Sequence, residues 1–149
     1  MSFSVVIDSN VAYKTTNIYD KDYAIDWSFL DEGEYDLTFS FLSTPATATA
    51  TNVKGIALLG LGTQLKTYTA GAETNTKSSN IIGLLSRSVF NDSSNKQTFS
   101  QSDFNVPVVL NSRPSNNIFK VNLMATSTTI GSTGMGGAYL LILHFNKRN

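Results

Sequence analysis

The side chains that could do chemistry are few and scattered. His144 is the single histidine in 149 residues, and there is no cysteine. One imidazole cannot build a multi-histidine metal site, and without thiols there are no disulfides, thiolate metal sites or cysteine nucleophiles. A Ser-His-Asp arrangement is possible by count alone, but no Gly-x-Ser-x-Gly elbow accompanies it. The simpler reading of His144 is a strand histidine near the C-terminus. Acidic residues gather between positions 20 and 36: Asp20, Asp22, Asp26, Asp31, Glu32, Glu34 and Asp36. A calcium site would need several of these oxygens to converge. The EF-hand spacing is absent, and no spacing marks a glycosidase pair of carboxylates. By alternation Asp26 and Asp36 point outward, and 31–34 is a turn, so a solvated face is the plain reading.

The run Gly131-Ser132-Thr133-Gly134-Met135-Gly136-Gly137 is glycine-rich, as phosphate loops are. It lacks both the Gly-x-Gly-x-x-Gly spacing and the Gly-Lys-Ser/Thr ending, and it leads into a strand where a nucleotide loop leads into a helix. It reads as a flexible loop that could order against a partner, with Met135 as an adaptable apolar contact. The chemistry therefore points to no catalytic residues, no cofactor and no metal, and the chain is expected not to be an enzyme.

Composition narrows the remaining classes. Eleven basic and eleven acidic side chains give zero formal charge, and no basic stripe is present to neutralise phosphates, so no nucleic-acid partner is expected. Lys147-Arg148 reads as a solvated tail. Charged residues are 15% of the chain, against about 25% in an average soluble domain. Ser, Thr and Asn supply much of the polar surface, which suits either a surface that meets other protein or simply an uncharged β-protein. No apolar run approaches the roughly 20 residues of a membrane helix, so no membrane-spanning segment is expected. The first residues have neither a basic nor an apolar stretch, so no signal peptide is expected either.

The elements that must position these residues follow a period of two. Phe3, Val5 and Ile7 share one face of a strand. Over 23–27, Tyr23, Ile25 and Trp27 face one way, and Ala24 and Asp26 the other. The 31–34 turn follows, with Gly33 free to take positive φ. Over 35–41, Tyr35, Leu37, Phe39 and Phe41 point inward. Two alternating runs across a short turn predict a β-hairpin. Further strands are expected at 53–61, 64–69, 80–90, 99–110 (one or two, with Pro107 at an edge or bulge), 118–124 and 138–145. Loops are expected at 44–52, with room for some extended structure there, and at 70–80 and 126–137. About eight strands spaced by turn signals, with no long helix and no fixed repeat, predict one all-β domain over 1–149, a sandwich or a barrel.

Large aromatics bury about 150–250 Å² each, so Trp27, Phe39 and Phe41, with Leu141 and Leu143 of the last strand, are the expected core. A tryptophan can also be a sugar-stacking platform, but the neighbours of Trp27 alternate as core residues do. The last strand is apolar on both faces, since Leu140 and Ile142 oppose Tyr139, Leu141, Leu143 and Phe145. The run 56–61 has the same property. A second apolar face needs a cover, either a loop of the same chain or another subunit. Leu58, Leu59, Met135, Leu140 and Ile142 are therefore candidate subunit-interface residues.

Three blocks carry a resemblance: Tyr23-Ala-Ile-Asp-Trp27-Ser-Phe-Leu with Gly33-Glu-Tyr35-Asp-Leu-Thr-Phe-Ser-Phe41, Arg113-Pro-Ser-Asn-Asn-Ile-Phe-Lys-Val121, and Tyr139-Leu-Leu-Ile-Leu-His-Phe145. Together the chain resembles the small single jelly-roll capsid proteins of double-stranded DNA viruses of protists: giant viruses, virophages and their relatives. The resemblance implies a single jelly-roll β-sandwich of about eight antiparallel strands, serving as penton, minor capsid or cement component. It further implies other capsid proteins as partners, a homo-oligomer, synthesis in the host cytoplasm and residence in the virion. It carries no catalytic residues. The alternative is a lectin-like or receptor-binding β-sandwich module, for which exposed Tyr13, Tyr19 or Tyr68 would be the residues to inspect.

Overall fold

The structure, a computed structural model, describes residues 1–12, 14–17, 20–44, 46–47, 55–61, 67–69, 77–79, 81–89, 96–103, 105–125 and 138–149. Among the described residues there are thirteen strands, two 3-10 turns (Ser9–Val11 and Trp27–Phe29) and no α-helix. The strands are β1 (Ser2–Asp8), β2 (Lys14–Asn17), β3 (Asp20–Ala24), β4 (Tyr35–Ser43), β5 (Ala46–Thr47), β6 (Gly55–Leu61), β7 (Thr67–Thr69), β8 (Lys77–Ser79), β9 (Ile81–Val89), β10 (Lys96–Gln101), β11 (Val108–Leu110), β12 (Ile118–Ala125) and β13 (Tyr139–Lys147). All their pairings are antiparallel. The chain is all-β, as its alternation predicts.

One hydrogen-bonded path runs β1-β13-β4-β10-β9-β6-β12-β3-β2, with β11 beside β4 and β5 beside β10, while β7 and β8 form a separate ribbon. Four of the pairings are nested: β1 with β13, β3 with β12, β4 with β10, and β6 with β9. Strands near the two ends of the path meet face to face. Side chains cross between them: the Trp27 ring lies 6.0 Å from Phe119 of β12 and 5.9 Å from Phe145 of β13, edge-on to both. The result is sandwich-like, with one layer built around β1, β13 and β4 and the other around β6, β12 and β3.

The core lies between these layers. Trp27, Phe41, Leu141 and Leu143 are all at or below 2% exposure and Phe39 is at 8%. Tyr35, Phe99, Phe119 and Phe145 are fully enclosed beside them. The Trp27 indole N–H donates to Asn116 O at 2.9 Å, so the buried polar atom of the ring is satisfied.

Three expectations need correction. First, β3 and β4 do not form a hairpin: β3 pairs with β12 and β2, and β4 with β13, β10 and β11. The Asp26 carboxylate accepts from Ser28 N at 3.0 Å and turns the chain into the 3-10 segment at Trp27. The strand therefore ends at Ala24, and the 31–34 turn, with Gly33 at φ 133°, carries the chain from one layer to the other. The in–out alternation nevertheless persists through Ser28. Second, β8 lies inside the expected 70–80 loop. Third, β2 has no counterpart among the expected strands. Pro107 immediately precedes β11, where its missing N–H breaks no ladder.

Candidate functional site

The outward face of β1, β13, β4 and β10 is the most distinctive surface among the described residues. Register fixes its rows: Asp8–Leu140–Leu42–Ser100, then Val6–Ile142–Ser40, then Ser4–His144–Thr38, then Ser2–Asn146–Asp36. Val6 is 63%, Leu42 61% and Leu140 42% exposed, and Ile142 is half-buried beside them. Exposed apolar residues standing singly are ordinary. Here four are contiguous across three strands, the arrangement associated with interaction sites.

Two shallow grooves flank this strip. One, of ≈ 280 Å³, is lined by Ser40, Leu42, Ser100, Gln101, Leu140 and Ile142. The other, of ≈ 320 Å³, includes Asn10, Leu42, Thr44, Ala138 and Leu140. The first lies where β4 and β10 separate. Only Ser100 and Leu42 are in register there, and side chains replace the ladder: Phe41 N donates to Gln101 Oε1 at 2.8 Å and Phe99 N to Ser43 Oγ at 2.7 Å.

His144 belongs to the same face. Its Nδ1 is 3.0 Å from Ser4 Oγ and its Nε2 3.2 Å from Ser40 Oγ. Whichever nitrogen carries the proton donates to its serine, and the other accepts. The imidazole thus ties β1, β13 and β4 across their outer surface, as a strand histidine can.

Four members of the acidic stretch, Asp31, Glu32, Glu34 and Asp36, are ion-paired. Arg113 Nη2 is 2.8 Å from Glu32, Lys147 Nζ 3.4 Å from Asp31, and Arg148 3.8 Å from Glu34 and 3.5 Å from Asp36. The backbone joins in, with Arg148 N donating to Glu34 O at 3.0 Å. Lys147 lies within β13, and with Arg148 it is held against the turn, which corrects the reading of a solvated tail. The Ser28 backbone N–H, followed by the Ser28 side chain, holds the Asp26 carboxyl below the usual carboxylate range. Among the described residues no three acidic or histidine side chains converge as metal ligands, and no helix is long and apolar enough to cross a membrane.

Of the candidate interface residues, Leu140 and Ile142 stand side by side on the outer face. Leu58 and Leu59 lie in β6, between β9 and β12, and their side chains are outside the described residues, as is all of Met135. Tyr13 and Tyr19 are also outside, as is the side chain of Tyr68. Sequence reasoning missed Val6 and Leu42. Each follows an inward apolar residue, so the double-sided criterion that singled out Leu140 would have found Val5-Val6 and Phe41-Leu42 as well. Models of known protein families give no match to this chain, and neither do the curated proteins.

Proposed function

We propose that this chain is a structural subunit of a virus particle, a single jelly-roll of the penton, minor capsid or cement type that assembles through protein–protein contacts. The observation that carries the reading is the contiguous strip of Val6, Leu42, Leu140 and Ile142. It has only Asp8 as a charge in its rows, and ion-paired Asp36 lies at the far rim. Apolar centre and polar rim are the anatomy of a subunit interface. The nested strand order supports the jelly-roll part. With the eight principal strands numbered along the chain, the path reads 1-8-3-6-5-4-7-2, which is the arrangement of two interleaved Greek keys. The sequence blocks around Trp27, Arg113 and Tyr139 support the viral part. The partners are then other capsid proteins and further copies of this chain, and the location is the virion, after synthesis in the host cytoplasm.

Native mass measurement of the purified chain, paired with its detection in isolated particles, tests the proposal. An oligomer together with stoichiometric presence in particles is expected. A strict monomer at high concentration that is absent from particles would sink it. The lectin-like reading has less support, because Trp27 is 2% exposed and offers no ring face to a sugar.

A further inference from the structure

Among the described residues β1 has one neighbour, β13, over seven register pairs without a bulge. Lys147 N donates to Met1 O at 3.1 Å, which sets the phase of the ladder. Because antiparallel pairs alternate, Phe3, Val5 and Ile7 aim their backbone groups at β13. Ser4, Val6 and Asp8 aim theirs away from it, along an open edge. Natural sheets blunt such edges with lysine, proline or a bulge, and β1 has none of these from Ser2 to Ile7.

The edge borders a groove of ≈ 480 Å³ between Val5–Asp8 and the end of β3, with Val11 on its rim. The phase of β3 follows from Ile25 N donating to Asn117 O, so Ala24 also aims its backbone away from β12. It lies beyond the last β2 pair, Lys14 with Asp22. The ionisable groups of the groove are Asp8, Tyr23 and Asp26, and none of them is cationic.

We propose that this edge takes up an extended, basic segment of a partner protein as an added strand. Its backbone would pair with Ser4, Val6 and Asp8, and a Lys or Arg side chain would lie against Asp8 and Asp26. Strand addition draws affinity from main-chain hydrogen bonds and specificity from side chains at alternate positions. The site shares Val6 and Asp8 with the outer-face strip but uses their outward-aimed backbone groups, and it does not rest on the particle reading.

The test is amide hydrogen exchange by NMR on the full chain, with a capped heptapeptide of alternating valine and threonine carrying one central lysine as the probe. In the dilute free chain the Phe3, Val5 and Ile7 amides should exchange slowly, and those of Ser4, Val6 and Asp8 quickly. The lysine peptide should protect the second set about tenfold or more, and a glutamate counterpart should bind at least about tenfold more weakly. An N-methylated peptide, which cannot donate, should protect nothing. Val6→Pro removes a donor the ladder does not use and should fold but not bind, while Val6→Thr should bind. Protection of Ser4 and Val6 in the dilute free chain would overturn the proposal, since the chain would then cover its own edge. Equal protection by the lysine and glutamate peptides, or none by either, would also overturn it. So would protection that rises with protein concentration alone, which identifies a second copy as the occupant.

Discussion

The hydroxyls of Tyr23 and Tyr139 meet at 2.8 Å in the interior, joining β3 to β13 across 116 residues of sequence. Around them Tyr139 N donates to Ser9 Oγ, and Lys21 Nζ donates to Ser9 O while lying 5.9 Å from the Tyr139 ring centroid. This is a polar clasp between the two layers, set in a largely apolar core.

Removing one half of the clasp should cost more than removing both. Tyr139→Phe leaves the Tyr23 hydroxyl buried without that partner, at a cost of about 1–3 kcal/mol, whereas the double Tyr23→Phe/Tyr139→Phe variant should be closer to wild type. Urea denaturation of the two single variants and the double variant measures the coupling. Additive losses would show that the hydroxyls act independently.

Burial pushes the Tyr23 phenol above its ordinary value, the hydrogen bond to Tyr139 opposes this, and the nearby Asp8 charge adds to the rise. A raised folded-state value favours the protonated form. The contribution to stability is therefore complete below the unfolded value of about 10 and is lost as pH climbs from there through the folded value. Tyrosinate absorbance should show a late-titrating component that is lost in Tyr23→Phe.

Trp27→Ala should be the most damaging single change in the aromatic cluster, costing about 3–5 kcal/mol, because its ring contacts both layers. Trp27→Phe should cost less. Denaturant midpoints by circular dichroism report both, and equal midpoints for Trp27→Ala and wild type would contradict the assignment.

A methyl group at Gly83 would collide with the Phe39 ring and the Asn105 carboxamide. That carboxamide accepts from Leu84 N and donates to Leu84 O and Ser102 O, standing in for a strand at the place where β10 ends. Gly83→Ala should cost about 1–3 kcal/mol through overpacking. Asn105→Ala should show its loss as faster amide exchange at Leu84.

Leu42→Glu and Leu140→Glu place charge on exposed positions, so the monomer should unfold within about 0.5 kcal/mol of wild type, while native mass should show any assembly lost. Assembly that survives both changes would remove the outer face as the interface.

Alternation alone determined the all-β class, the inward set around Tyr35, Leu37, Phe39 and Phe41, and the second apolar face of β13, because side chains on a strand alternate whatever the strand pairs with. Which strand lies beside which was decided only in three dimensions. Residues 23–27 and 35–41 read locally as a hairpin, yet nine register pairs bind β4 to β13, about a hundred residues away. No local pattern encodes a partner so distant. The same holds for the apolar strip and the open edge of β1. Leu140 and Ile142 stand out in the sequence, but Val6 and Leu42 join them as one surface only when register sets the four in adjacent rows.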